Sequence, residues 1–229
     1  MKNKQRTLVR PRLPFVTVKF AQSLDGRIAT STGDSKWISG PQARKFGHQL
    51  RREHDAVLVG IGTVLADDPE LTVRLVTGRN PLRIVVDSRL RIPLAARVVN
   101  NPAGCNTIIA TLSTADPRRV ERLRRRGVQV LLLPQGKKHA GVDLRQLLRR
   151  LDRMEIGSVL VEGGSAIITS LLAARLVDRV VAVTSPKIIG RGTEAVGNLG
   201  IAKLSDAITF SSVKTRMLGS DFIFDARIR

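Results

Sequence analysis

Glu162 closes an apolar run, Ser158–Val161, and is followed by Gly163, Gly164 and Ser165. A carboxylate at the end of a buried strand is costly unless a donor meets it. That donor is either neighbouring backbone or a hydroxyl or base of a ligand. The two glycines would let a phosphate approach the main chain, and a helix opening at Ser165 would present free N–H groups and the positive end of its dipole. The pattern is neither the GxGxxG fingerprint nor a GK[ST] phosphate loop. Lys19 interrupts another apolar run, Phe15–Phe20. It either reaches solvent along its own methylenes or points into a cleft, where it could hold a phosphate or sugar oxygen or face a developing charge. Asp67 and Asp68 precede Pro69; adjacent residues rarely share one site, so one is read as functional and the other as closing a turn. Arg51 and Arg74 offer planar forks suited to phosphate, although a chain so rich in arginine does not single them out. Trp37 follows a polar loop, Gly33–Lys36, and is read either as core packing or as a platform for a planar ring.

Other chemistries lack their residues. The sequence has no GxSxG elbow, no HExxH and no HxE with PCxxC, which removes the familiar serine hydrolase, zincin and zinc deaminase arrangements. The single cysteine, Cys105, cannot form an intrachain disulfide or a cysteine-rich zinc site. His48, His54 and His139 lack ligand spacing; they are read as solvent-facing or locally hydrogen-bonded, and no metal is expected.

The elements that must position these residues alternate. Strands are expected at Phe15–Phe20, Asp55–Gly60, Arg83–Val86, Asn106–Thr111, Val128–Leu133, Ser158–Val161 and Val177–Thr184, with an extended stretch at Leu71–Leu75. Helices are expected at Pro41–Arg52 with Ser39 as cap, at Asp116–Arg126 closed by Gly127, from an Asp143 cap to about Met154, and at Ser165–Leu176. Ile208–Arg216 and Asp221–Arg227 read as a hairpin turning near Leu218-Gly219. This order predicts an α/β fold: a mostly parallel central sheet flanked by helices on both faces, with a C-terminal antiparallel hairpin. In such sheets a ligand sits beyond the carboxyl ends of the strands. The turns Gly60–Thr63, Asp87-Ser88, Glu162–Gly164 and Thr184–Lys187 all fall there.

The chain has 229 residues, 42% of them hydrophobic, enough for a proper core. No Pro/Gly/Ser linker divides it, so residues 1–12 are read as a basic extension and 13–229 as one domain. The first twelve residues have no apolar segment of the signal-peptide kind, and no run approaches the length of a membrane span; the cytoplasm is the default location. Lysine and arginine number 39 against 19 acids, a formal charge of +20. Such a surface attracts anions. The arginines, however, are spread over segments that read as solvated helix faces, and no nucleic-acid motif accompanies them. Specific nucleic-acid binding is not expected, and an anionic substrate and cofactor are.

Taken together, Lys19–Ala29 (KFAQSLDGRIA), Gly33–Gly40 (GDSKWISG), Asp55–Arg74 (DAVLVGIGTVLADDPELTVR), Asn80–Asp87 (NPLRIVVD), Val159–Gly164 (VLVEGG) and Ser185–Gly190 (SPKIIG) resemble, in order, the RibD C-terminal family of pyrimidine reductases. The resemblance implies a dihydrofolate-reductase-like fold, a homodimer, NADPH as hydride donor and a phosphorylated pyrimidine as substrate. It implies that Lys19, Asp67 and Glu162 are the catalytic polar residues near the ribose and base. Ser35, Arg51, Leu71 and Arg74 would be further substrate contacts. Ala21, Trp37, Thr63, Asp67, Ser88 and the turn formed by Gly164, Ser165, Ala166, Ile167, Ile168, Thr169 and Ser170 would hold NADPH. Arg89 or Arg91 would meet the 2′-phosphate or simply carry loop charge. Residues 60–102 look like the archaeal stand-alone type, which acts on the 2,5-diamino-pyrimidinone before deamination; Gly33–Gly40 looks more like the bacterial type, which acts on the deaminated uracil. The diamino-pyrimidinone is the expected substrate. Another reductase of the same fold and a nucleic-acid-binding protein are the rival readings.

Overall fold

The computed structural model describes residues 13–100, 104, 106–136 and 141–229; the basic segment 1–12, Cys105 and His139 lie outside them. In chain order the elements are β1 (Phe15–Ser23), β2 (Arg27–Thr30), α1 (Pro41–Glu53), β3 (Ala56–Gly60), α2 (Ile61–Asp67), β4 (Leu82–Val86), α3 (Arg97–Asn100), β5 (Thr107–Leu112), α4 (Pro117–Arg124), β6 (Gln129–Leu133), α5 (Leu144–Asp152), β7 (Ser158–Glu162), α6 (Ser165–Ala173), β8 (Arg179–Ser185), β9 (Gly192–Glu194), β10 (Phe210–Leu218) and β11 (Asp221–Ile228). Nine strands form the main sheet in the order β10-β11-β8-β1-β7-β3-β4-β5-β6. From β8 to β6 every pairing is parallel. The C-terminal hairpin then adds β11 and β10 antiparallel at one edge.

The parallel strands are apolar on both faces because both are covered. Along β3, Ala56 and Leu58 enter a core with α5 and α6, alongside Val18, Ile84, Ile108, Val161, Leu148 and Ile168. Val57 and Val59 face the other way, with Ile61, Val85, Ile109, Val120 and Leu123 of α2, β4, β5 and α4. On that second face α1 sits further along, with Phe46 and Leu50 packed on Leu160, Val181, Val183 and Ile223.

Several local expectations differ from what is found, among them the end of α6, which stops at Ala173 rather than Leu176. Strand β1 runs on to Ser23, because Ala21 and Ser23 still pair with Val183 and Ser185 of β8. Leu71–Leu75 forms no strand: the N–H of Val73 goes to the Asn80 side chain at 2.7 Å and that of Arg74 to the His48 ring at 2.9 Å, so side chains take the donors a ladder would need. Strands β2 and β9 form a separate two-stranded sheet in segments too short to show a period. Gly192 is required there, since a Cβ at that position would overlap the Ala29 carbonyl oxygen.

Helix caps are set partly by sequence and partly from afar. Asp116 and Asp143 accept the N–H groups of Arg118 and Gln146 at 2.8 and 3.0 Å, so α4 starts one residue after its cap. Ser39 does not cap α1. Gly40 is the N-cap, without a side-chain bond of its own, and its N–H donates to Asp221 Oδ2 at 2.7 Å. A carboxylate from β11 thus stands at the positive end of α1. Asp221→Ala is expected to lower stability by about 1–2 kcal/mol, the usual worth of a cap. Urea unfolding reads this directly, and an unchanged midpoint would remove Asp221 as the anchor of α1.

Candidate functional site

The carboxyl ends of β1, β7, β3 and β4 open into a cavity of about 740 Å³, a size suited to a small-molecule site and in the place the topology directs a ligand. Its walls include Lys19, Ala21, Ser35, Arg51, Thr63, Asp67, Leu71, Ser88, Glu162, Gly164, Ser165, Ala166, Ile167 and Ser170. Those predicted positions, scattered through the sequence, are brought together. Four others are not at its walls. Trp37 is 65% exposed and lies under the Arg44 guanidinium, 4.5 Å from the ring centroid, while its carbonyl accepts from Lys187 at 2.6 Å. Arg74 is ion-paired with Glu70. Ile168 is wholly buried in the core. Thr169 donates to the Ser165 carbonyl at 2.7 Å and accepts from the Gly197 N–H at 2.8 Å.

At one end of the cavity Lys19 and Glu162 are partners in register on the adjacent strands β1 and β7, so their side chains leave the sheet on the same face. Helix α1 crosses that face and supplies Arg51. Its Nε and Nη2 grip Glu162 Oε1 and Oε2 at 2.9 and 2.5 Å, and its Nη1 donates to the Thr72 carbonyl at 2.9 Å. The donor that Glu162 requires is therefore a guanidinium from another element. The side chains are only 15% and 12% exposed. Burial opposes ionisation of Glu162, but the charge and hydrogen bonds of Arg51, with Lys19 and His48, outweigh it and hold the carboxyl below its ordinary range. For Lys19, burial dominates and lowers its pKa; Glu162 and Asp221 pull upward and Arg51 pushes down. A lysine so placed gives up a proton more readily than one in water.

The other end is floored by backbone. Gly163 and Gly164 both have φ +81, and a Cβ on Gly164 would lie 3.4 Å from both Thr63 Oγ1 and Ile167 Cγ2. Gly164 is also the N-cap of α6 and makes no side-chain cap bond, leaving first-turn N–H groups for a ligand. Ser88 Oγ accepts the Val142 N–H at 3.0 Å, which draws Gly141, Val142 and Leu144 into the wall; no local signal marked those three. Of the paired acids, Asp67 lines the cavity, whereas Asp68, at φ 40, accepts the Arg97 N–H at 2.9 Å. Arg91 reaches the wall and Arg89 does not.

Two of the sequence segments meet at the rim. Asp25 accepts from the Ser23 hydroxyl at 2.6 Å and from the N–H groups of Ile189 and Gly190 at 3.1 and 2.6 Å. The Ser23 bond first, and then that of Ile189, bring its pKa down to about 2. This clasp joins LDG to SPKIIG and places β2 and β9 so that Ala29 and Thr193 reach the cavity. Among the described residues no group of three or more His, Cys, Asp or Glu could hold a metal ion, and no helix is long and apolar enough to cross a membrane.

Comparison with known proteins gives a family match over residues 14–224, to the RibD C-terminal domain. The 2,5-diamino-6-ribosylamino-4(3H)-pyrimidinone 5′-phosphate reductase of Methanothermobacter thermautotrophicus is 43% identical over 94% of this chain and 99% of its own length. The riboflavin biosynthesis protein RibD of Aquifex aeolicus is 40% identical over 95% of this chain and 58% of its own. Among solved structures, a diaminohydroxyphosphoribosylaminopyrimidine deaminase/5-amino-6-(5-phosphoribosylamino)uracil reductase of Thermotoga maritima is 34% identical with a TM-score of 0.77, covering 95% of this chain and 57% of that one. The chain thus spans little more than half the length of the RibD proteins it matches.

Proposed function

The chain belongs to the RibD C-terminal domain family, and from that premise we propose that it reduces the ribosyl group of 2,5-diamino-6-ribosylamino-4(3H)-pyrimidinone 5′-phosphate to a ribityl chain, with NADPH as donor, in riboflavin biosynthesis. The observation that carries this reading is one cavity with Lys19 and the Arg51–Glu162 pair at one end and a glycine floor at a helix N-terminus at the other. Similarity to the Methanothermobacter reductase, matched over almost its whole length, supports the diamino-pyrimidinone over the deaminated uracil.

The residues fit a dinucleotide. Gly163 and Gly164 leave space a Cβ would fill beside Thr63 and Ile167, and the start of α6 offers unpaired N–H groups to a pyrophosphate. Ala21, Thr63, Ser88 and the wall from Gly164 to Ile167 would hold the cofactor, whose chemistry is hydride donation. Arg91 is the candidate for the 2′-phosphate.

The protein's own task is to open the sugar and keep it in place. As the amine nitrogen forms a double bond to C1′, the C1′–O4′ bond breaks and O4′ takes a proton. The resulting protonated imine becomes a secondary amine on accepting hydride at C1′. Lys19, with its readily released proton, is assigned the protonation of O4′, directly or through a water, with Asp67 as the other candidate. Glu162 cannot swing away to act as acid or base while Arg51 holds both of its oxygens; its assigned part is to fix the polar frame and favour the cationic imine. Ser35, Leu71 and Arg51 shape the sugar and phosphate end.

Loss of NADPH absorbance, followed with each pyrimidine separately, tests the reading. Turnover of the diamino compound over the uracil is expected. The reverse preference would move the enzyme after deamination, and turnover of neither, with both compounds verified intact, would overturn it. Gly164→Ala is expected to weaken NADPH binding about tenfold, because an alanine is strained at the φ of +81 this position holds and its Cβ would enter the cofactor wall. Fluorescence titration measures this, and an unchanged affinity would place the cofactor elsewhere. The protein is further proposed to act as a homodimer, supported by Val213, Met217 and Phe222 exposed on the edge hairpin; light scattering showing only monomer would exclude that.

A further inference from the structure

We propose that His48 is a positioning residue for the substrate end of the cavity, pinning the Leu71–Arg74 segment to α1 without touching substrate. The inference rests on the reductase reading above.

The segment after α2 supplies Pro69 and Leu71 to the cavity wall. Leu71 is buried and has φ 56, a conformation a bulky residue keeps only when its surroundings hold it. Two bonds from α1 hold it. Arg51 Nη1 donates to the Thr72 carbonyl at 2.9 Å, and the Arg74 N–H donates to His48 Nδ1 at 2.9 Å. His48 and Arg51 are three residues apart, hence on one side of the helix. Arg51 has a second duty at Glu162, so replacing it disturbs both ends of the chain of contacts. Among the described residues the bond to the Arg74 N–H is the hydrogen bond His48 makes; the ring is 8% exposed and is absent from the cavity wall. An accepting Nδ1 requires the neutral ring with its proton on Nε2. Burial, then Arg51 and Lys19, lower the pKa of His48 against the opposing pull of Glu162, which keeps the acceptor available near neutrality.

Without the ring acceptor, the Arg74 N–H loses its partner and the strained turn at Leu71 loses one of its two ties to α1. Substrate then meets a wall that must be ordered on binding. The glycine floor, built by β7 and α6, is not part of this linkage.

The test compares wild type, His48→Leu and His48→Asn, the amide oxygen of asparagine standing where Nδ1 stands. Three quantities are read: KM for the pyrimidine, the dissociation constant for NADPH, and hydrogen exchange of the Arg74 amide. His48→Leu is expected to raise KM about tenfold and to speed exchange at Arg74 about tenfold, the effect of one lost hydrogen bond to a partly buried donor. NADPH affinity is expected to stay as in wild type, and His48→Asn to restore both altered values. Unchanged exchange in His48→Leu would overturn the pin. So would an unchanged KM, parallel losses in KM and NADPH affinity, or an asparagine variant no better than leucine. Wild-type protein inactive on both pyrimidines would overturn the reductase reading and with it the role in substrate binding; that outcome shows in wild type alone, whereas failure of the pin shows only in the variants.

Discussion

Replacing Arg51 with methionine is expected to destabilise the protein by about 3 kcal/mol, toward the lower end for loss of one partner from a buried ion pair. The lower end applies because the two side chains keep 15% and 12% of their exposure and Lys19 remains as a second cation. The change leaves Glu162 with two oxygens unmet and releases the Thr72 carbonyl. Arg51→Met with Glu162→Gln is expected to recover part of the loss, since no naked carboxylate remains. The pair also sets a pH dependence. The folded pKa of Glu162 lies below its ordinary 4.5, so its stabilisation is present above that value and is lost as pH falls through the lower folded pKa. Urea unfolding from neutral to acid pH should show this loss in wild type and a flatter profile in Arg51→Met. A loss of stability under about 1 kcal/mol at neutral pH would show that the pair does not anchor this end of the site.

Lys19→Met should have the opposite signature. Turnover is expected to fall about 10²–10⁴-fold, the span associated with a positioned proton donor, while the unfolding midpoint stays level or rises. The reason is that burial already disfavours the Lys19 charge, so a methionine of similar length removes a desolvation cost and keeps the packing. Lys19→Arg is not expected to restore activity, because a guanidinium holds its proton too firmly. Single-turnover hydride transfer at the wild-type rate in Lys19→Met would remove the lysine from proton delivery and pass that role to Asp67 or a water.

The apolar runs that form β3, β4, β7 and β8 were legible in the sequence, as were the Asp143 cap and the C-terminal hairpin, because a buried parallel strand and a helix start leave local marks. Glu162 was legible as a costly carboxylate closing an apolar run, and Lys19 as a lysine within one that either reached solvent or entered a cleft. Their adjacency was not, since the β1–β7 register joins distant segments and no local period reports it. Arg51 could be suspected of binding an anion, yet nothing near it says that the anion is Glu162; the available hint was the His48/Arg51 spacing on a helix that also buries Phe46 and Leu50. The seven consecutive positions Gly164–Ser170 contained their own correction. A helix turns 3.6 residues per cycle, so all seven cannot face one cavity, and Ile168 faces the core while Ser165 and Ser170 meet the cavity. Asp221 as the anchor of α1, and the Ser88–Val142 bond, depend on contacts made only after the chain has folded back on itself.

The strand order has a consequence for how the protein comes into being. Strands β3, β4, β5 and β6 are neighbours in both chain and sheet, so this half can zip up with short crossovers as it leaves the ribosome. Strand β1 emerges before them, yet its sheet partners among the described residues are β7 and β8, and Arg51 waits for a carboxylate 111 residues downstream. A cation-bearing strand and helix are therefore made well before their neighbours, and closing that long loop is expected to be slow. The Lys19–Arg51–Glu162 part of the site can form only once β7 has entered between β1 and β3. Nascent chains halted before β7 should carry a protected β3–β6 half and a protease-sensitive amino-terminal portion.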